Sequence, residues 1–160
     1  TFWDDDDWSS PLRLQRVADT IVSYEGVDLI GVQQVLWHEL TTPARHTVEY
    51  TAPVPGYVVG GTLAFRAQLF KLHPFEDVAG DEGWWTLKRC EEGAKLASVW
   101  FPYVAMIHGN NALNRRAFRV NVTTGEVHDG AEYKLRPGGR EAVREVMGTA
   151  ALERFEAAVA

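Results

Sequence analysis

Thr1-Phe2-Trp3-Asp4-Asp5-Asp6-Asp7-Trp8-Ser9-Ser10-Pro11 is the stretch on which the reading of the chain turns. Thr1 to Trp3 reads as the tail of a buried strand, and four adjacent carboxylates follow at its end. Ser10 then supplies a capping hydroxyl, and Pro11 suits the first position of a helix. Leu14, Val17, Ala18 and Ile21 continue at helical spacing, and Gly26 stops the run. A strand, an acidic turn and a capped helix in that order form a unit of an α/β domain.

Working outward, Asp28 to Leu36 reads as one strand rich in Leu, Ile and Val. His46, Val48 and Tyr50 alternate with Thr47, Glu49 and Thr51 as in a half-exposed strand, and Thr41 to Ala44 turns between the two. Tyr57 to Phe65 reads as a strand broken by Gly60-Gly61, where glycine marks a bulge or a close approach. Arg66 to Leu72 is a short helix, ended by His73-Pro74. Asp81 or Glu82 opens another helix that runs to Gly93. Lys95 to Trp100 and Tyr103 to Ile107 are strand-like, parted by Pro102. Phe118 to Val122 and Glu126 to His128 read as a small hairpin, and two helices after Pro137 are parted near Gly148. The expected fold is α/β, a mixed sheet flanked by helices.

Composition narrows the function. The chain has 160 residues, 46% of them hydrophobic, enough for one compact domain with a real core. Net charge is −6, with 22 acidic against 16 basic residues, which argues against nucleic acid as a partner. No apolar run approaches the roughly 20 residues that cross a bilayer, so no transmembrane segment is expected. Cys90 is the single cysteine, so no internal disulfide forms, and a reducing, cytoplasmic setting is expected. The abrupt opening, without an initiator Met or a secretory signal, leads us to expect a native chain that starts further upstream.

Three segments carry candidate chemistry. Adjacent aspartates repel one another unless a cation or solvent offsets them. Asp4, Asp5 and Asp6 therefore read either as a solvated acidic loop or as oxygen ligands for Mg²⁺ or Mn²⁺. Asp81 and Glu82, flanked by glycines and by Trp84-Trp85, read either as helix capping or as a general base. Of the two tryptophans, one can face a cleft while the other packs. His108-Gly109-Asn110-Asn111 ends a strand and reads either as a satisfied loop histidine or as a metal or phosphate contact. His38, His46, His73 and His128 lack metal-like spacing and are given no role.

The order of these segments resembles the second half of family-2-like glycosyltransferases of the GT-A type. The acidic run stands where that family has its DxD-type motif, and Pro11 to Tyr24 stands for the helix after it. Gly60-Gly61-Thr62-Leu63-Ala64-Phe65-Arg66 is similar to the family's Gly-Gly strand with its arginine. Leu72-His73-Pro74-Phe75 is similar to its "hPF" stretch. Asp81-Glu82 stands, in reversed order, for its Glu-Asp pair, and His108-Gly109-Asn110 for its "HG-N" strand end. The resemblance covers residues 1–114; residues 115–160 are expected to add a hairpin and helical tail to the same compact domain.

The resemblance implies a nucleotide-sugar donor, an acceptor hydroxyl and a divalent cation, Mn²⁺ or Mg²⁺. It implies Asp4, Asp5, Asp6 and His108 at the metal, and Asp81 or Glu82 as base. It implies Gly60, Gly61, Trp84 and Asn110 at the substrates. The family's nucleotide-binding half has no counterpart here, so an upstream segment or a partner chain is expected to supply it. The competing reading is a non-catalytic interaction or carbohydrate-binding module, or a structural part of a larger assembly. If the enzyme reading holds, the acidic run, Gly60-Gly61, Asp81-Glu82 and His108 converge on one cleft.

Overall fold

The computed structural model describes residues 6–40, 47–52, 54–76, 82–108, 132–135 and 139–158. Over these the protein is α/β, with mixed sheets flanked by helices. The strands divide between two sheets where one was expected. In chain order the elements begin with β1 (Trp8–Ser9), α1 (Arg13–Ser23), β2 (Leu29–Gly31), β3 (Gln34–Glu39) and β4 (Thr47–Thr51). A 3-10 turn (Gly60–Thr62), β5 (Ala64–Phe65), α2 (Ala67–Leu72) and α3 (Glu82–Glu91) follow. The remainder is β6 (Leu96–Ser98), β7 (Tyr103–Ile107), β8 (Glu132–Leu135), α4 (Arg140–Met147) and α5 (Thr149–Ala158).

The larger sheet has the order β1-β7-β3-β4-β8, with β3 and β7 parallel and the other pairs antiparallel. The smaller has the order β5-β2-β6, with β2 and β6 parallel. The single strand expected over Asp28 to Leu36 is thus two strands in two sheets. The break falls at Val32 and Gln33. The Val32 N–H donates to Thr62 Oγ1 at 3.0 Å, and its carbonyl accepts from Val59 N–H at 3.0 Å. A hydroxyl from 30 positions away thus takes the place of a ladder partner.

The same hydroxyl shapes the Gly-Gly segment. Thr62 Oγ1 donates to Val59 O at 2.6 Å, and Leu63 N–H closes the turn on Gly60 O at 2.9 Å. Residues 60–62 are therefore a tight turn rather than part of a strand, and β5 is confined to Ala64–Phe65.

Helix α1 buries Arg13, Val17 and Thr20, whereas Leu14 and Ile21 are more than half exposed. The apolar stripe expected through Leu14 and Ile21 is therefore not its inner face. Arg13 is wholly buried, with its guanidinium 5.5 Å from the centre of the Phe101 ring. That cation–aromatic contact lies on the inner face of the helix, with Val17 and Thr20. Ser10 does not cap the helix: α1 begins at Arg13 behind Leu12 without a side-chain cap hydrogen bond, so Pro11 is not its first residue, and the Ser10 hydroxyl instead accepts the Leu12 N–H at 3.2 Å.

Two apolar clusters hold the helices to the sheets. Leu29, Val58, Leu63 and Trp85 pack with Phe65, Phe70 and Phe75 beneath α2 and α3. Val104 and Met106 of β7 pack with Val143, Met147 and Leu152 of α4 and α5. The entry to α4 is tied down by a buried relay: Thr47 Oγ1 donates to Gly139 O at 2.8 Å and lies 2.8 Å from His38 Nδ1. A hydroxyl has one proton to give, so His38 Nδ1 must carry the hydrogen of the second contact. Among the described residues no helix is long and apolar enough to cross a membrane.

Candidate functional site

Strand pairing brings Asp6 and Asp7 to the end of β7, since Trp8 of β1 pairs with Val104 and Ser9 with Tyr103. Asp7 locks this arrangement. It accepts the Met106 N–H at 2.7 Å on one oxygen and the Tyr103 hydroxyl on the other. Asp6 comes next, and its Oδ2 lies 2.9 Å from His108 Nε2. Asp6 remains 41% exposed and His108 15%, so solutes can reach the pair from solvent.

A second pair forms at the start of α3. A Cβ placed on Gly60 would lie 3.0 Å from Glu82 Cβ and 3.1 Å from its Oε2, so the Glu82 side chain rests on the backbone of the turn. Only glycine allows that approach without displacement. Gly83 has an analogous role: a Cβ there would come within 2.2 Å of Tyr57 Cζ. The Tyr57 ring therefore covers the first turn of α3 and meets Trp84 edge to face at 5.2 Å. Burial pushes the Tyr57 phenol above its ordinary pKa, a hydrogen bond with Tyr50 pulls it back, and the Glu82 charge raises it further. Tyr57 is thus a neutral phenol within the field of the Glu82 carboxylate.

The two pairs border one core cluster. Tyr103, whose hydroxyl holds Asp7, packs with Tyr50 and Val35, and Val59 packs against the same group just before Gly60. Trp84 has another setting as well. Its indole is 49% exposed and lines a groove between α2 and α3, together with Lys88 and Arg89. Asp6, His108 and Glu82 are not among the residues lining that groove. Asp4, Asp5, Asp81 and Asn110 lie outside the described residues. Gly61 is buried in the turn beside Gly60.

Asp7, Tyr103 and Tyr57 were not foreseen as site residues. Gly83 was the available signal for Tyr57, because a glycine in a first helical turn reports something pressed against the backbone. Nothing local marks Tyr103, whose partner lies 96 positions away.

Among the described residues no group of three or more His, Cys, Asp or Glu side chains gathers as a metal-holding cluster. Asp6 and His108 do fit two positions of a divalent ion that takes oxygen and nitrogen ligands, since their facing atoms are a carboxylate oxygen and an imidazole nitrogen. Asp7 does not fit, because both of its oxygens are engaged in holding β7. Comparison of the chain with family models, with curated proteins and with solved structures finds no match.

Proposed function

We propose that the chain is the acceptor-side part of a metal-dependent glycosyltransferase of GT-A type, which passes a sugar from a nucleotide-sugar donor to an acceptor hydroxyl. The observation that carries this reading is the meeting of Asp6 with His108, residues that the resemblance to family-2-like enzymes assigns to one ion. A divalent ion held by Asp6 and His108, with Asp4 or Asp5, would offset the charge of a leaving nucleotide diphosphate.

Of the two candidate bases, Glu82 is the one among the described residues. Its carboxylate is placed by the turn beneath it, and the Tyr57 phenol beside it stays protonated through the neutral range. A base must be held within hydrogen-bonding reach of the proton it takes, so a carboxylate seated on a glycine backbone suits the role. Glu82 would accept the proton of the acceptor hydroxyl as its oxygen attacks the anomeric carbon. The bond from that carbon to the diphosphate oxygen breaks, and the diphosphate leaves with the electron pair.

The contacts available at Asp6, His108 and Glu82 address the diphosphate and the sugar. Binding through these alone should be weak, on the order of millimolar, because few contacts offset the lost freedom of the donor. An additional segment or a partner chain holding the base and ribose belongs to the proposal. A reducing, cytoplasmic setting suits the lone thiol of Cys90.

The test is calorimetry and a transfer assay with nucleotide sugars and Mn²⁺, alone and with a nucleotide-binding half supplied in cis or in trans. Glu82→Gln should retain donor binding and lose transfer. Donor binding that is indifferent to both Asp6→Ala and His108→Ala would sink the reading. The alternative, a carbohydrate-binding module without transferase activity, is favoured by the exposed Trp84 in its groove, and it expects saccharide binding with no donor binding at all.

A further inference from the structure

The groove between α2 and α3 has a volume of about 400 Å³, within the range of small-ligand sites. We infer that it binds a neutral saccharide. The inference does not depend on the transferase reading. Three observations support it.

The first is charge. Lys88 and Arg89 line the groove together with Glu76 and Glu92, so cations and carboxylates balance. An anionic or cationic ligand gains little from such a wall. A ligand rich in hydroxyls can donate to the carboxylates and accept from the cations at once.

The second is the aromatic surface. Trp84 lies one helical turn from Lys88 on α3, which puts the two side by side, and nearly half of the indole is open to solvent. A large ring left half exposed beside polar groups is a stacking surface for the apolar face of a sugar ring.

The third is rigidity. Trp85 Nε1–H donates to His73 O at 2.8 Å, which pins the wall of α2 to α3. Arg89 is 4% exposed, its guanidinium lies 5.9 Å from the Trp85 ring centre, and it donates to Glu92 at 3.0 Å. Its Nε has no partner among the described residues. A groove whose polar groups are already placed loses little entropy when a ligand arrives.

The experiment titrates the whole chain with maltotriose, cellotriose and triacetylchitotriose, and with trigalacturonate as the acidic counterpart. The indole N–H signals are followed by NMR, and affinity is measured by calorimetry. A neutral trisaccharide should shift the Trp84 signal. Trp84→Ala and Lys88→Ala should each weaken binding roughly tenfold or more. Trp100→Ala should leave binding unchanged, since Trp100 is 68% exposed and does not line the groove. Both tryptophans are exposed enough that their removal spares the core, and unchanged melting of the variants verifies this. The inference is overturned if trigalacturonate alone binds, if none of the four binds, or if binding survives Trp84→Ala. Saccharide binding that persists in a chain shown to bind no donor would keep the groove and remove the transferase.

Discussion

His108 Nε2 lies 2.9 Å from Asp6 Oδ2, although the two residues are 102 positions apart. The pair stays partly open to solvent, so a cation can reach both side chains. Mn²⁺ should therefore raise the melting temperature. The gain is about 2.7 kcal/mol once the ion reaches roughly 100 times its Kd. Asp6→Ala and His108→Ala should each remove the gain. A melting curve unmoved by millimolar-scale Mn²⁺ would count against the ion site.

Asp7 and Asp6 should behave differently despite being neighbours. Asp7→Ala leaves the Met106 N–H without its acceptor in a buried strand, and it also frees the Tyr103 hydroxyl. The expected loss is about 2–3 kcal/mol. Asp6→Ala removes only a part-exposed contact and should cost less than about 1 kcal/mol. Urea denaturation of the two variants checks the order, and equal losses would contradict it.

Gly60→Ala should push Glu82 off the turn at a cost of about 1–2 kcal/mol, because Glu82 Cβ sits close to the helix backbone and has little room to yield. Gly83→Ala should cost more, roughly 2–3 kcal/mol, since the Tyr57 ring must leave its seat. In a Tyr57→Ala background most of the Gly83→Ala penalty should vanish. A double-mutant cycle measures this, and a fully additive result would refute the packing account.

Stability should fall in alkali in a way that Tyr57 explains. Its folded pKa is raised above the ordinary value near 10, first by burial and then by Glu82. Below about pH 10 the phenol is neutral in both folded and unfolded chains, and its contribution is fully present. Above that, the unfolded chain gives up the proton first, so stability declines until the folded phenol also ionises. Tyr57→Phe should flatten this decline. An unchanged alkaline slope in Tyr57→Phe would show that another group causes it.

The strands and helices whose ends are set by local chemistry could be read from the sequence. Pro102 fixes the start of β7 and His73-Pro74 the end of α2, and both elements lie where they were expected. The α/β character followed from these. The division into two sheets did not, because it depends on Thr62 capturing the Val32 N–H across 30 positions. The inner face of α1 was misjudged for a similar reason. Hydropathy places Arg13 in solvent, but a ring from Phe101 gives its cation a partner indoors.

The candidate site divides in the same way. Asp6, Glu82, Gly60 and His108 carry recognisable chemistry in recognisable order, and the fold joins them as two pairs. The residues that hold those pairs in place were invisible. Asp7 looked like one more member of an acidic run, yet its task is to fasten a strand. Lys88 and Arg89 were given no role in the sequence, and the fold sets them in the groove beside the end of α2.

β8 lies along β4 at one border of the larger sheet, and two-residue β1 lies at the other. β4 is five residues long, and two of its side chains, Thr47 and Val48, are wholly buried. Stripped of β8, it would present a row of unpaired amides and carbonyls, the template on which another chain can add as a new strand. By pairing with β4, β8 keeps that template closed. A truncated chain would be expected to self-associate through β4, while the short β1 at the far border offers too few groups to recruit a neighbour.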